Sequence, residues 1–342
     1  MKIAQVATSS GPVRQDQTGS VESLVWLLTR ELIALGHQVT VFGCGGAEVP
    51  AGAEFVRTHP GAYGMPGTPS DWQVCDWMTL AQAVGESHRF DVIHSHAYLW
   101  GLPLQPLSHC PMVHTLHTTP YDDEELLAAR FPDAAIVGVS HFQWSSRRLT
   151  PTGVVYHGVD PTAFTFRRES GGYLCYLGRF IAGKGPLEAI RVAKELAMPI
   201  MLAGPRNEYF DEHIACRIDG EAVRYAGAVD RAERDALLGG AAALLYPLSE
   251  PEPFGLVQVE AMMCGTPVVA TRTGATPEVI DNGTTGVLVS SHAELARAVA
   301  LALRLPRELV RARAKERFTA RRMATEYAAI YGRLHEPAAA RT

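Results

Sequence analysis

No stretch of this chain is apolar over membrane-spanning length, which excludes a transmembrane helix. No Cys-x-x-Cys occurs among its six cysteines, so a zinc ribbon or dithiol redox motif is not expected. Cys44, Cys75, Cys110, Cys175, Cys216 and Cys264 lie scattered in or beside apolar runs, as buried thiols of a reducing compartment do. The opening run Met1 to Ala7 is broken too soon by Ser9, Ser10 and Gly11 for a signal peptide, and a cytoplasmic location is the expectation. Positive charge is also short: 31 Lys and Arg face 36 Asp and Glu, a net charge of −5. Neither nucleic acid nor an anionic lipid surface is an expected partner. The deficit concentrates in residues 1 to 150, where eight basic side chains face fourteen acidic ones, a balance of −6 that disfavours anionic ligands.

The 342 residues, 47% hydrophobic and 20% charged, suit a globular protein of two domains. Short apolar runs alternate with amphipathic segments, the pattern of parallel sheets covered by helices. Ile3 to Ala7 reads as the first strand; Val21, Leu24, Val25, Leu28, Leu32 and Leu35 follow with helical spacing, Gly36 stops that helix, and Val39 to Phe42 is the second strand. Further strands are expected at 92–94, 112–116, 135–139 and 154–156. A second series is expected at 173–177, 200–203, 223–225, 243–246 and 268–270. The join falls in His157-Gly158-Val159-Asp160-Pro161 and the charged stretch to Gly172, because Asp-Pro disfavours helix and Gly158 permits a sharp turn. This gives one domain over residues 1–160 and another over 161–317, with an amphipathic helix from Phe318 to Leu334.

Residues 252 to 270, Glu-Pro-Phe-Gly-Leu-Val-Gln-Val-Glu-Ala-Met-Met-Cys-Gly-Thr-Pro-Val-Val-Ala, carry the most information. They place Glu252 at the mouth of a helix, with Pro253 in its first turn, Glu260 within it and Gly265 just past its end. A helix mouth offers unpaired N–H groups and partial positive charge to oxygen-rich ligands, and carboxylates accept from hydroxyls. Two acids eight positions apart therefore point to a polyhydroxylated ligand held at two places. The bland reading, a capping Glu252 and a solvated Glu260, is weakened by Phe254, Gly255 and Leu256, since a glycine there lets a ligand approach the backbone.

A second constellation, Gly178-Arg179-Phe180-Ile181-Ala182-Gly183-Lys184-Gly185-Pro186, joins a strand to a helix. It contains Gly-x-x-x-x-Gly-Lys, but Gly185 replaces the hydroxyl residue an NTPase needs for Mg²⁺. Arg179 and Lys184 remain as two cations on a glycine-rich turn, suited to a phosphate.

Together these segments resemble glycosyltransferase family 4, the retaining, nucleotide-sugar-dependent enzymes of the GT-B fold, which has two Rossmann-like parallel-sheet domains facing a central cleft. The resemblance is dense from 173 to 289 and thin before 130. It implies that Glu252 meets hydroxyls of the donor sugar, Glu260 holds the ribose, and Arg179 and Lys184 bind the diphosphate and stabilise its charge as it leaves. It further implies nucleobase contacts through Gly227 and Val229, backbone contacts near Phe254, Gly255 and Leu256, and a terminal helix, about 318–335, that crosses back onto the first domain. Gly19, in Thr18-Gly19-Ser20, is expected beside the donor phosphate or the acceptor; a plain turn with Ser20 as a helix cap is the alternative. His96 and His117 fall at the carboxyl ends of strands, where open α/β sheets place ligands, and are expected on the acceptor side, with His117 hydrogen-bonding or steadying charge near the reacting sugar. A structural histidine is the alternative, and no convincing zinc set accompanies them.

No cofactor is implied beyond the nucleoside-diphosphate sugar, a UDP-sugar foremost, and the absence of Asp-x-Asp agrees with metal-independent transfer of a hexosyl or pentosyl group. The acceptor is expected to be a small molecule or glycan with a free hydroxyl, in bacterial secondary metabolism such as antibiotic biosynthesis, or in glycan assembly; residues 58–75, rich in Gly and Pro, read as a loop that could cover it. No side chain stands out as a covalent nucleophile, which favours front-face attack. A catalytically reduced nucleotide-sugar-binding protein of the same fold is the alternative. A dinucleotide oxidoreductase is disfavoured because no Gly-x-Gly-x-x-Gly follows the first strand. Stable membrane insertion is not expected, and oligomeric state leaves no signal in the sequence.

Overall fold

The computed structural model describes residues 1–15 and 21–335 and divides into two units, Met1–Gly158 with the chain from Ala320 on, and Val159–Thr319. Gly19 lies outside the described residues.

The first unit is built on a parallel sheet of seven strands: β1 (Lys2–Val6), β2 (Gln38–Cys44), β3 (Glu54–His59), β4 (Val92–Ser95), β5 (Met112–Thr115), β6 (Ala135–Gly138) and β7 (Gly153–Val154). Their order in space is β3-β2-β1-β4-β5-β6-β7. β1 therefore has β2 on one side and β4 on the other, so the winding reverses between β1 and β4. At such a switch point the connections leave in opposite directions and open a crevice at the carboxyl ends of the strands. Helices α1 (Val21–Ala34), α2 (Trp72–Gly85) and α3 (Asp122–Ala128) link these strands.

The second unit repeats the plan with β8 (Tyr173–Leu177), β9 (Ile200–Ala203), β10 (Val223–Tyr225), β11 (Ala241–Tyr246), β12 (Val268–Thr271) and β13 (Gly286–Val289) in the order β10-β9-β8-β11-β12-β13. Its switch point lies between β8 and β11. Its helices include α4 (Pro186–Glu195), α5 (Arg231–Gly240), α6 (Leu256–Met263), α7 (Thr276–Val279), α8 (Leu295–Ala302) and α9 (Arg307–Arg317). Buried strand residues such as Leu174, Leu202, Ala243, Leu245 and Val269 form its core with Val192, Ala298 and Val299 from α4 and α8.

The last helix, α10 (Ala320–His335), belongs to the first unit. Met323, Ala324, Tyr327, Ile330 and Tyr331 recur at helical spacing, and this stripe is buried against Val25, Leu28 and Leu32 of α1 and the strands beneath.

Four segments differ from the sequence reading. β3 and β13 were not expected; β3 is an edge strand whose half-buried Phe55 and Val56 sit between Glu54 and Arg57, so its alternation is weak. The segment 58–75 is not one loop, because Thr58 and His59 close β3 and Trp72 opens α2, leaving 60–71 as the connection. α6 begins only at Leu256, after Gly255 in the left-handed region at φ 87°, so Pro253 lies outside the first turn and Glu252 stands on the loop leading to it.

Candidate active site

The carboxyl ends of β8 and β11 bring the two sequence motifs of the second unit together. After β8 the chain runs through Gly178 to Gly185, and after β11 it runs from Pro247 to Gly255. The loops are joined by backbone: the Gly183 carbonyl accepts from the N–H groups of Ser249 at 3.0 Å and Glu250 at 3.3 Å. Across this junction Lys184 Nζ pairs with Glu252 Oε1. Lys184 also lies 5.8 Å from the ring centroid of Tyr246, within cation–π reach. The second oxygen of Glu252 is buried and has no partner.

Glu252 is located by its backbone. Its carbonyl accepts from Ala275 N–H at 3.0 Å, and Gly274, at φ 64°, packs so closely that a Cβ there would lie 2.4 Å from Glu252 N and 2.5 Å from its carbonyl oxygen. Only glycine meets both demands, a left-handed backbone and no side chain. Arg179 contrasts with Lys184. Its carbonyl is held by the Tyr176 hydroxyl at 2.8 Å, while its side chain is exposed and makes no ion pair among the described residues. The site thus holds one cation paired to a carboxylate and one cation free, both on a turn between strand and helix.

Glu260, expected to hold the ribose, is a buried acid with a partner inside the second unit. It is 7% exposed, and its Oε1 accepts from Arg234 Nη1 of α5 at 2.6 Å, a partner that no motif announced. Burial raises the Glu260 carboxyl above the usual range and Arg234 opposes the rise. Phe254 is also buried, edge-on to Phe318 with ring centroids 6.0 Å apart, so its side chain serves packing. Leu256 opens α6 half-buried. Beyond β10, the Gly227 carbonyl is taken by Gly204 N–H at 2.9 Å, and Val229 is 9% exposed.

In the first unit, His96 follows β4 and His117 follows β5, at the carboxyl edge beside the β1/β4 switch point. His96 Nδ1 and His117 Nε2 are 2.9 Å apart, and His96 Nε2 meets Gln5 Oε1 at 2.8 Å. Behind them His94 bridges the Thr115 hydroxyl at 2.8 Å and the Tyr331 hydroxyl of α10 at 2.6 Å. The His117 ring stacks on His157 with centroids 5.3 Å apart. Burial lowers the His117 and His114 pKa values to about 4 and those of His94, His96 and His157 well below the ordinary value. These imidazoles are neutral near pH 7, the form in which a ring nitrogen of His117 can accept or donate a hydrogen bond. Its Nδ1 is buried without a partner.

The same edge opens a cavity of about 340 Å³ lined by Thr8, Glu22, Trp72, Asp76, Tyr98 and the two histidines, among others. Its two carboxylates come from α1 and α2. Nothing in their local sequence marked them, since their burial arises from the way the helices seat on the sheet.

No group of three His, Cys, Asp or Glu that could hold a metal occurs among the described residues, and none of their helices is long and apolar enough to cross a membrane.

Comparison with known proteins gives these sites a family. Residues 21–174 match the model described as Glycosyltransferase Family 4, and residues 163–319 match that of Glycosyl transferases group 1. The first match reaches into the half where motif resemblance is thin. A D-inositol 3-phosphate glycosyltransferase of Arthrobacter sp. (strain FB24) is 31% identical over 254 residues; the alignment covers 60% of this chain and 59% of that relative, so the chain matches about three fifths of its length. Among solved structures, AviGT4, a glycosyltransferase involved in avilamycin A biosynthesis, is 26% identical with a TM-score of 0.74 over 98% of both chains. Anabaena HepE in complex with UDP-glucose is 19% identical with a TM-score of 0.72, covering 98% of this chain and 100% of its own, a likeness of fold. Matched by one model or the other from residue 21 to residue 319, the chain belongs to the family 4 glycosyltransferases, with the GT-B fold.

Proposed function

We propose that the chain moves a sugar from a nucleoside-diphosphate sugar to an acceptor hydroxyl, with the donor on the second unit and the acceptor on the first. The observation that carries this reading is the Lys184–Glu252 pair beside the free Arg179 at the β8/β11 switch point. Breakage of the glycosidic bond places charge on the leaving diphosphate, and two fixed cations lower that barrier without a metal. Lys184 and Glu252 are partly exposed, so solvent weakens their pairing and a donor can replace it. The diphosphate then takes Lys184 and Arg179, and sugar hydroxyls donate to Glu252, whose second oxygen is unpartnered.

UDP-glucose is the first donor to test, because HepE of the same fold binds it. Retention, front-face attack, a cytoplasmic setting and independence of metal and cofactor complete the reading. Glu260, already held by Arg234, reaches the ribose only as part of that pair. The likeness to AviGT4 supports antibiotic biosynthesis as the setting.

The test is UDP release from UDP-glucose with and without acceptor, in the presence of EDTA, for wild type and Arg179→Ala. The variant should lose at least ~100-fold in turnover. Wild-type turnover in Arg179→Ala would refute the diphosphate assignment, and UDP binding without any donor cleavage would favour the catalytically reduced alternative.

A further inference from the structure

The cavity of the first unit carries a signature of its ligand that lies outside the family motifs. It is lined by two carboxylates and, among the described residues, by no Lys or Arg. Glu22 and Asp76 are 0% and 1% exposed. Each uses one oxygen internally: Glu22 Oε1 accepts from the Thr8 hydroxyl, and Asp76 Oδ1 accepts from the Ser9 N–H at 2.9 Å. The other oxygens, Glu22 Oε2 and Asp76 Oδ2, are buried and have no partner.

Buried carboxylates cost several kcal/mol each unless a cation or hydrogen-bond donors compensate them, and they are ordinarily paired. Two unpaired ones under one cavity leave that compensation to whatever enters it. Burial, with Glu22 adding to it, lifts the Asp76 pKa to about 6, so Asp76 is still mostly ionised near neutral pH. Above this acidic floor stand aromatic rings: Trp72 and Tyr98 are in contact with centroids 4.9 Å apart, and Tyr63 is exposed at the rim. Such rings accept the C–H face of a sugar or a cation over their π surface. A phosphorylated ring would meet two carboxylates and, among the described residues, no cation, an arrangement that repels it.

We infer that this cavity binds a polyhydroxylated ring bearing a protonated amine, an amino sugar or amino polyol, and rejects phosphorylated rings. Calling that ring the acceptor rests on the transferase reading above; its binding does not.

Calorimetric titration of the full chain, with and without saturating UDP, separates the two. The probes are glucosamine, N-acetylglucosamine, glucose and glucose 6-phosphate, which share a hexose ring and differ in charge. Glucosamine should bind at least ~tenfold more tightly than N-acetylglucosamine or glucose, with glucose 6-phosphate weakest. Asp76→Asn and Glu22→Gln should each remove most of the glucosamine preference, with amide-exchange protection of β1, β2 and β4 as the check that the first unit of each variant folds. No heat from glucosamine, equal binding of N-acetylglucosamine or glucose 6-phosphate, or a preference untouched in both variants would overturn the inference. Failure of UDP to bind the wild type would instead strike the transferase reading.

Discussion

Single side chains here act through what surrounds them. Asp76 shows this most directly, because burial raises its carboxyl from an ordinary value of 3.8 to about 6. Its stabilising contribution is complete below pH 3.8 and is lost as pH rises through about 6, at a cost approaching ~3 kcal/mol at neutral pH. Asp76→Asn keeps an acceptor for Ser9 and removes the charge. Its melting temperature should exceed that of wild type at pH about 7.5 and the gap should close toward pH about 4, measured by differential scanning calorimetry. A variant less stable than wild type at the higher pH would mean that the charge is compensated. Such residues stay silent in a sequence. Lys184 and Glu252 stand in runs whose spacing already implies a turn and a helix, whereas Asp76, Glu22 and Arg234 gain their character only from burial and from partners distant along the chain. Glu260 was legible as an important acid, but its tie to Arg234 of α5 was not.

At the level of elements, most strands of both sheets were readable because fully buried parallel strands are short, continuous apolar runs. Tyr173–Leu177, Ile200–Ala203 and Val268–Thr271 lie where those runs stand. Edge strand β3 escaped because its exposed side is charged, and the start of α6 was misplaced because Glu-Pro looks like a helix opening until Gly255 interrupts it. That interruption moves Glu252 onto a loop, which therefore needs an outside support. Gly274 supplies it. Gly274→Ala would force a left-handed backbone on alanine and push a methyl group into Glu252 N and O. Turnover of UDP-glucose should fall at least ~tenfold through displacement of the carboxylate, and the melting temperature should drop by several degrees. Steady-state kinetics beside a thermal melt would check this, and unchanged turnover would show that the position of Glu252 is not critical.

For the molecule as a whole, the two sheets follow one winding plan and place both candidate sites at their switch points, a regularity the alternation of runs already implied. What no local pattern could give is the destination of α10. Its apolar stripe announces a helix that must be covered, and the partner, α1, lies some three hundred positions earlier in the chain. A chain ending at Thr319 loses Met323, Tyr327, Ile330 and Tyr331 from the first core together with the hydroxyls that hold His94 and Thr115. In hydrogen exchange, amides of β1, β2 and β4 should lose most of their protection in that truncation while those of β8, β9 and β11 retain it. Uniform protection in both would mean that α10 is dispensable to the first core. The same connectivity bears on biosynthesis. The ribosome delivers residues 159–319 complete before it delivers Ala320, so the second unit can finish folding on the ribosome while the first, although made earlier, waits with an open groove beside α1. The half of the chain synthesised first is the half completed last, and its exposure to chaperones and aggregation lasts until α10 has emerged.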